Sequence, residues 1–290
     1  MTLHMEHTQY TVERELANAI FGKILLCYDR RAKRRVVVKR VQVAAANARR
    51  SWDAQRAVTE HFAFEKRVHL ELSRGHEHLV ALHETFTVGG FDHLVMEYCP
   101  RGDLFLRVQK SHRLPPKEAH LFFGQIARAV AYMHARGYAH GDLSLENVFL
   151  DAHGQCKLGD FGLAALLHEP RVATAGKYFY MAPEMFATQG YNPEKADVWA
   201  LGIMATTTDG VYRFYVHAQC LERILDGWNV ADVFAPDLLD LLSQMLSVDP
   251  ARRPTMAAVV AHPYVATAAS SQRFPHVRRL FASLFRRRGA

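Results

Sequence analysis

The spacing of apolar positions divides the chain in two near residue 100. In the first part, short runs rich in Val, Ile and Leu at Ile20–Cys27, Arg35–Val43 and His93–Tyr98 alternate with polar turns and predict strands. One stretch between them has helical spacing instead: Val58, Phe62, Val68 and Leu72 fall on one face and predict a helix over Ala54–Ser73. After Pro100-Arg101-Gly102 the pattern turns long and helical, most clearly over Ala119–Ala135, Lys195–Thr207 and Leu238–Leu246. The expectation is an α+β chain of two lobes, with a small sheet-rich lobe holding one main helix, a short glycine-containing hinge and a larger helical lobe. The link Arg40–Asp53, which includes Arg49-Arg50, is unusually long and reads as a solvated loop.

Composition narrows the class without naming a chemistry. The 290 residues leave room for two compact units, and 49% hydrophobic with 22% charged residues exclude collagen-like, disordered and coiled-coil chains. Against 29 acidic residues stand 36 basic ones, a formal net charge of +7. Six of the arginines (Arg273, Arg278, Arg279, Arg286, Arg287, Arg288) lie in the last 25 residues, which contain no acid, so the body is near neutral and nucleic acid is not an expected partner. The four cysteines, Cys27, Cys99, Cys156 and Cys220, form no Cys-x-x-Cys pair, which argues for reduced thiols and against a zinc site. The seventeen histidines show no metal-ligand spacing. No apolar run approaches the roughly 18 to 20 residues of a membrane helix, and the acidic N-terminus does not resemble a signal peptide. A soluble, intracellular and cytoplasmic location is expected, with the nucleus or a membrane surface as alternatives.

Chemistry concentrates in one region. His140-Gly141-Asp142-Leu143-Ser144-Leu145-Glu146-Asn147 is followed thirteen residues later by Asp160-Phe161-Gly162 and then by Ala182-Pro183-Glu184, with Lys39 after Val36-Val37-Val38 upstream. In this order and spacing the motifs resemble the catalytic loop, metal-binding loop and activation-segment end of the eukaryotic-type protein kinases, over nearly all of Tyr10–Val265.

The resemblance implies a bilobal fold with an antiparallel-sheet N-lobe over residues 10–96, a hinge at 97–102 and a C-lobe at 103–265. Residues 1–9 and 266–290 would then be an extension and a basic tail. It implies ATP and Mg²⁺ as cofactors and protein Ser/Thr hydroxyls as acceptors. By the same resemblance Asp142 is the base or orienter of the acceptor hydroxyl, and Asn147 and Asp160 are the metal ligands. Lys39 would hold the α- and β-phosphates and pair with Glu65, Glu60 being the second choice. Leu16, Ala17, Ala19, Gly22, Ile24, Val37, Met96, Glu97, Cys99, Asp103 and Phe149 would surround the nucleotide. Asp197 would brace the catalytic loop and Arg253 would pair with Glu184.

Three departures follow from comparing the residues with that pattern. Of the glycines that usually form the phosphate loop only Gly22 remains, with Ala17 and Ala19 in place of the others; losing them stiffens the loop. Gly141 replaces the arginine that usually receives an activation-segment phosphate, and the position that would carry the phosphate is Ala173, beside Thr174. This predicts activity that does not depend on activation-segment phosphorylation. Ser144 stands where a lysine is usual and Lys177 where a threonine is usual, so the two look exchanged, and Lys177 becomes a candidate cation for the γ-phosphate.

The tail adds a separate feature. Val277, Leu280, Phe281, Leu284 and Phe285 form an apolar stripe among arginines, which suits an anionic membrane, a regulatory protein or packing on the lobes. The reading is a protein serine/threonine kinase acting on protein substrates. The alternative is a pseudokinase that serves as a scaffold or allosteric partner; retention of Lys39, Asp142, Asn147 and Asp160 favours the enzyme.

Overall fold

β-branched and aliphatic residues at alternate positions make the first lobe a sheet with two different faces. The computed structural model describes residues 9–52, 58–72, 75–111, 114–172, 175–187, 189–208 and 235–270. The N-terminal extension up to residue 8, Ala173 and Thr174, Cys220 and the 273–290 stripe lie outside the described residues. Strands β1 (Tyr10–Ala19), β2 (Gly22–Asp29), β3 (Arg34–Gln42), β4 (Leu82–Val88) and β5 (Phe91–Glu97) form an antiparallel sheet in the order β1-β2-β3-β5-β4. Leu25, Cys27, Val36, Val38 and Val95 are buried together with Tyr10 on one face. The register sets Lys39 opposite Ile24 and Leu94, and Val37 opposite Leu26 and Met96, so one lysine stands in an aliphatic row on the other face. β1 escapes the hydrophobic pattern because most of its positions are exposed.

The segment after β3 departs from expectation. It folds as α1 (Val43–Ala48), and among the described residues the next helix, α2, begins at Phe62 and ends at Leu72; residues 54–57 and 73 of the expected helix lie outside them. Residues 58–61 are not helical, so Val58 is no part of a helix face; its N–H donates instead to the carbonyl of Arg49. Nor is the link a solvated loop. Gln42 donates its N–H to the Phe21 carbonyl and Trp52 donates to the Ile20 carbonyl, both at 2.8 Å, so the chain straps the β1–β2 turn. Phe21, 1% exposed, is packed with Val41, Ala45, Phe62, Leu82 and Leu94.

The second lobe is built on α4 (Pro116–His134), with α3 (Leu104–Ser111), α5 (Pro193–Thr208), α6 (Pro236–Met245), α7 (Met256–Ala261) and α8 (Pro263–Ser270). Two short ladders, β7 (Val148–Leu150) with β8 (Cys156–Leu158) and β6 (Tyr138–Ala139) with β9 (Ala165–Leu166), lie under the sheet lobe. Val68 and Leu72 of α2 belong to the same core as Leu158, Met133, Trp199 and Leu241, so α2 is held from both lobes. Arg253, 2% exposed, donates to both carboxylate oxygens of Glu184 at 2.6 and 2.8 Å and lies over the Trp199 ring.

His69 on α2 is buried and donates Nε2–H to the Val80 carbonyl at 2.9 Å. Burial lowers its pKa from 6.5 to about 4, and His76 and His93 are lowered to about 4 by the same cause. The unfolded chain therefore takes up protons that the fold refuses, and stability present above about pH 6.5 is lost as the pH falls toward 4. The urea midpoint should be lower at pH 5 than at pH 7.5, with a share of about 2 kcal/mol from His69. In His69→Gln that pH difference should shrink.

Candidate active site

The catalytic loop hangs from one buried carboxylate. Asp197, near the start of α5 and 2% exposed, accepts the His140 N–H at 2.7 Å, the Gly141 N–H at 3.0 Å and His134 Nε2–H at 2.9 Å. Burial alone would raise its pKa, but the His134 hydrogen bond and the other donors outweigh it and hold the carboxyl below its ordinary value. Gly141 takes φ +74°, and this turn sends Asp142 toward the cleft.

Asp142 is held at both oxygens. Its Oδ2 accepts from Asn147 Nδ2 and from Lys177 Nζ, each at 2.8 Å, and its Oδ1 accepts the Lys177 backbone N–H at 3.0 Å. Lys177 Nζ also donates to Ser144 Oγ at 3.0 Å. Because Asn147 Nδ2 bonds to the Asp142 carbonyl as well, its amide oxygen is turned away from Asp142.

β8 delivers the second acid. Gly159 donates its N–H to the Asn147 carbonyl at 3.0 Å, and Asp160 follows in the left-handed region at φ +61°, a conformation that costs energy for a side chain and is kept where geometry matters. Lys39 Nζ lies 2.5 Å from Glu65 Oε1 and 3.9 Å from Asp160 Oδ1. Burial disfavours the Lys39 ammonium, yet the carboxylates of Glu65 and Asp160 more than compensate and raise its pKa. The charges of Lys39 and His140 keep the Asp160 pKa below the ordinary value. Phe161 lies edge-on between His69 and His140, with ring centroids 5.0 and 5.7 Å away.

Glu65 thus lies at Lys39. Glu60 is not on the helix at all; it precedes it, and a Cβ on Gly162 would lie 3.4 Å from its carboxyl carbon. Burial and the carboxylates of Asp160 and Glu65 push the Glu60 pKa to about 7, against the pull of Lys39.

Around the nucleotide cleft the register places Ala17 opposite Ile24 and Ala19 opposite Gly22, closing β1 and β2 in a tight turn at Ile20-Phe21. Gly22 is demanded by packing, since a Cβ there would lie 2.0 Å from the Arg40 carbonyl oxygen, and not by a positive φ. Leu16 is 37% exposed. The Glu97 carboxylate pairs with Lys157 at 3.1 Å. Cys99 is buried, and burial with the Glu97 charge pushes its thiol to about 12, which makes it a poor nucleophile. Asp103 caps α3 by accepting the Leu106 N–H at 2.7 Å and bridges to Phe149 on β7.

Arg171 carries no motif, and the pattern of the sequence does not single it out. Its Nη1 donates to the Leu163 carbonyl at 2.6 Å, and its backbone exchanges hydrogen bonds with Tyr191. A Cβ at residue 141 would lie 2.2 Å from that Leu163 oxygen and 2.7 Å from Arg171 Nη1, so a side chain at 141 and this strap exclude each other. The one signal for Arg171 is the glycine at 141.

Residues 10–265 match the protein kinase domain family, and the chain belongs to it. It is 33% identical to NUAK family SNF1-like kinase 2 of Homo sapiens over 220 residues, 73% of this chain and 35% of that protein. It is 30% identical to serine/threonine-protein kinase Nek4 of Mus musculus over 272 residues, 90% of this chain and 33% of that protein. With serine/threonine-protein kinase chk1 of Schizosaccharomyces pombe it shares 29% identity over 91% of this chain and 55% of that protein. The chain therefore spans from about a third to about half the length of these relatives.

Gly141→Ala tests the close approach at the loop. Gly137, at φ +83°, has nothing within 4 Å of an added Cβ, whereas Gly141 meets backbone. Gly137→Ala should cost only the left-handed penalty of about 1–2 kcal/mol. Gly141→Ala should lower the thermal midpoint further, by about 2–4 °C for each additional kcal/mol, measured by calorimetry.

Proposed function

We propose that the chain is a serine/threonine kinase that transfers the γ-phosphate of ATP to protein hydroxyls. The observation that carries this reading is the convergence on one cleft of the Lys39–Glu65 ion pair, Asp160 at 3.9 Å from Lys39 and Asp142 with Asn147. Phosphoryl transfer needs little covalent help, and positioning with charge neutralisation does most of the work. Lys39 holds the α- and β-phosphates. Asp142 orients the acceptor hydroxyl and takes its proton. Asp160 and the amide oxygen of Asn147 are hard donors of the kind magnesium prefers, and two protein oxygens suit an ion that completes its shell with water and phosphate. Bound there, magnesium would neutralise phosphate charge. A scaffold role would leave these five side chains without a common purpose.

Independence from activation-segment phosphorylation is part of this proposal. The Arg171 strap to Leu163 fills the space beside Gly141 and ties the start of the segment to its middle without a phosphate. Two assays check these statements. Mg-ATP turnover on a degenerate peptide library should be present in the wild type and fall at least about 100-fold in Asp160→Asn; a folded wild type without turnover would establish the pseudokinase. Phosphatase treatment should leave activity within about twofold. Loss of activity together with loss of phosphate from Thr174 would refute the independence.

A further inference from the structure

We infer that Lys177 supplies the cation for the transferring phosphoryl group and that Ser144 holds it in place, so that catalytic loop and activation segment have exchanged an ammonium and a hydroxyl. The inference rests on the kinase reading above. In that reaction the hydroxyl oxygen bonds to the γ-phosphorus while the bond to the β–γ bridging oxygen breaks. That oxygen leaves with the electron pair as part of ADP, and the hydroxyl proton passes to Asp142. Negative charge then lies on phosphoryl oxygens beside Asp142, and a second anion so close requires a cation.

The catalytic loop has none: residues 140–147 contain no lysine or arginine. Lys39 is committed on the opposite side, to Glu65 and Asp160. Lys177 is where the charge is needed, its Nζ 2.8 Å from Asp142 Oδ2 and 3.0 Å from Ser144 Oγ. Its side chain is 35% exposed while Ser144 is fully buried, so the ammonium opens onto the cleft and the hydroxyl backs it. An ammonium has three donors; Asp142 and Ser144 take two, and the third can reach a phosphoryl oxygen. Gly176 makes the approach possible: at φ +101°, a Cβ there would lie 3.1 Å from the Gly141 carbonyl oxygen and 3.3 Å from Asp142 Oδ1.

The rival is a purely structural ion pair that docks the segment on Asp142. Lys177→Met and the double exchange Ser144→Lys/Lys177→Thr separate the two, with folding checked by thermal midpoint and affinity for ATP and ADP measured by calorimetry. The inference expects Lys177→Met to lower kcat at least about tenfold with peptide KM within about twofold, and to reduce the preference for ATP over ADP. It expects the double exchange to restore kcat to within about threefold of wild type, since the ammonium returns from the other loop. A folded Lys177→Met with kcat within about twofold, or a folded double exchange no better than Lys177→Met, overturns it. If the wild type shows no turnover but Lys177→Met still lowers the preference for ATP over ADP, the kinase reading fails while the phosphate contact stands.

Discussion

Asp197 sits where a lone carboxylate would be forced neutral, and it stays charged because three donors point at it. Two of them are the successive backbone N–H groups of His140 and Gly141, which fixes the peptide planes on either side of the turn. From that turn the rest follows in sequence. The side chain of Asp142 must face the cleft; Asn147 and Lys177 then close on it, and the Asn147 carbonyl sets the start of the Asp160 loop through Gly159. In the low dielectric of the interior these bonds strengthen one another, and losing one donor would leave the Asp197 carboxylate undersatisfied. Here it transmits the position of α5, deep in the helical core, to the oxygens of two acids at the surface of the cleft.

The same network explains where the cations are. Gly141 and Ser144 remove both positive side chains from the catalytic loop, and Arg171 and Lys177 bring two back on the segment that packs against it. A latch made of arginine and phosphate forms only once the phosphate has been installed. The Arg171 latch donates to a backbone carbonyl that is always present, and a guanidinium-to-carbonyl hydrogen bond is worth about 1.5–3 kcal/mol. On the inference above, docking of the segment and completion of the charge pattern around Asp142 become one event, because the residue that docks at Asp142 is Lys177.

Much of this was legible in the sequence because it lies in short motifs whose residues act close to where they stand. Strands rich in Val and the long helices declare themselves by period, and the aliphatic row around Lys39 follows from β3 alternation. Four features were not legible, each for a physical reason. β1 is mostly solvated, so its alternation is weak. Val58 and Phe62 share helical spacing by coincidence, and the backbone bond from Val58 to Arg49 decides against a helix there. Arg171 is one arginine in a polar stretch, and only the missing Cβ of Gly141 shows that its guanidinium fills a space. The link after β3 also hides its role, because its two bonds to Ile20 and Phe21 come from backbone N–H groups and the side chains it adds to that contact are mostly small alanines.

That link changes what the lost glycines mean. A glycine-rich loop approaches phosphate closely but must be ordered when the nucleotide arrives, and glycine loses the most entropy on ordering. In this chain the turn at Ile20-Phe21 is already held by two backbone bonds, and Phe21 is anchored in the core with Phe62 of α2. The alanines give up some closeness; the strap and the buried phenylalanine leave less to order, which favours binding through preorganisation. Because Phe62 opens the helix that also carries Glu65, the same anchor couples the position of the hairpin to the ion pair with Lys39. The hairpin and the helix are therefore positioned together, and a change that loosens Phe21 would reach the Lys39–Glu65 pair through Phe62.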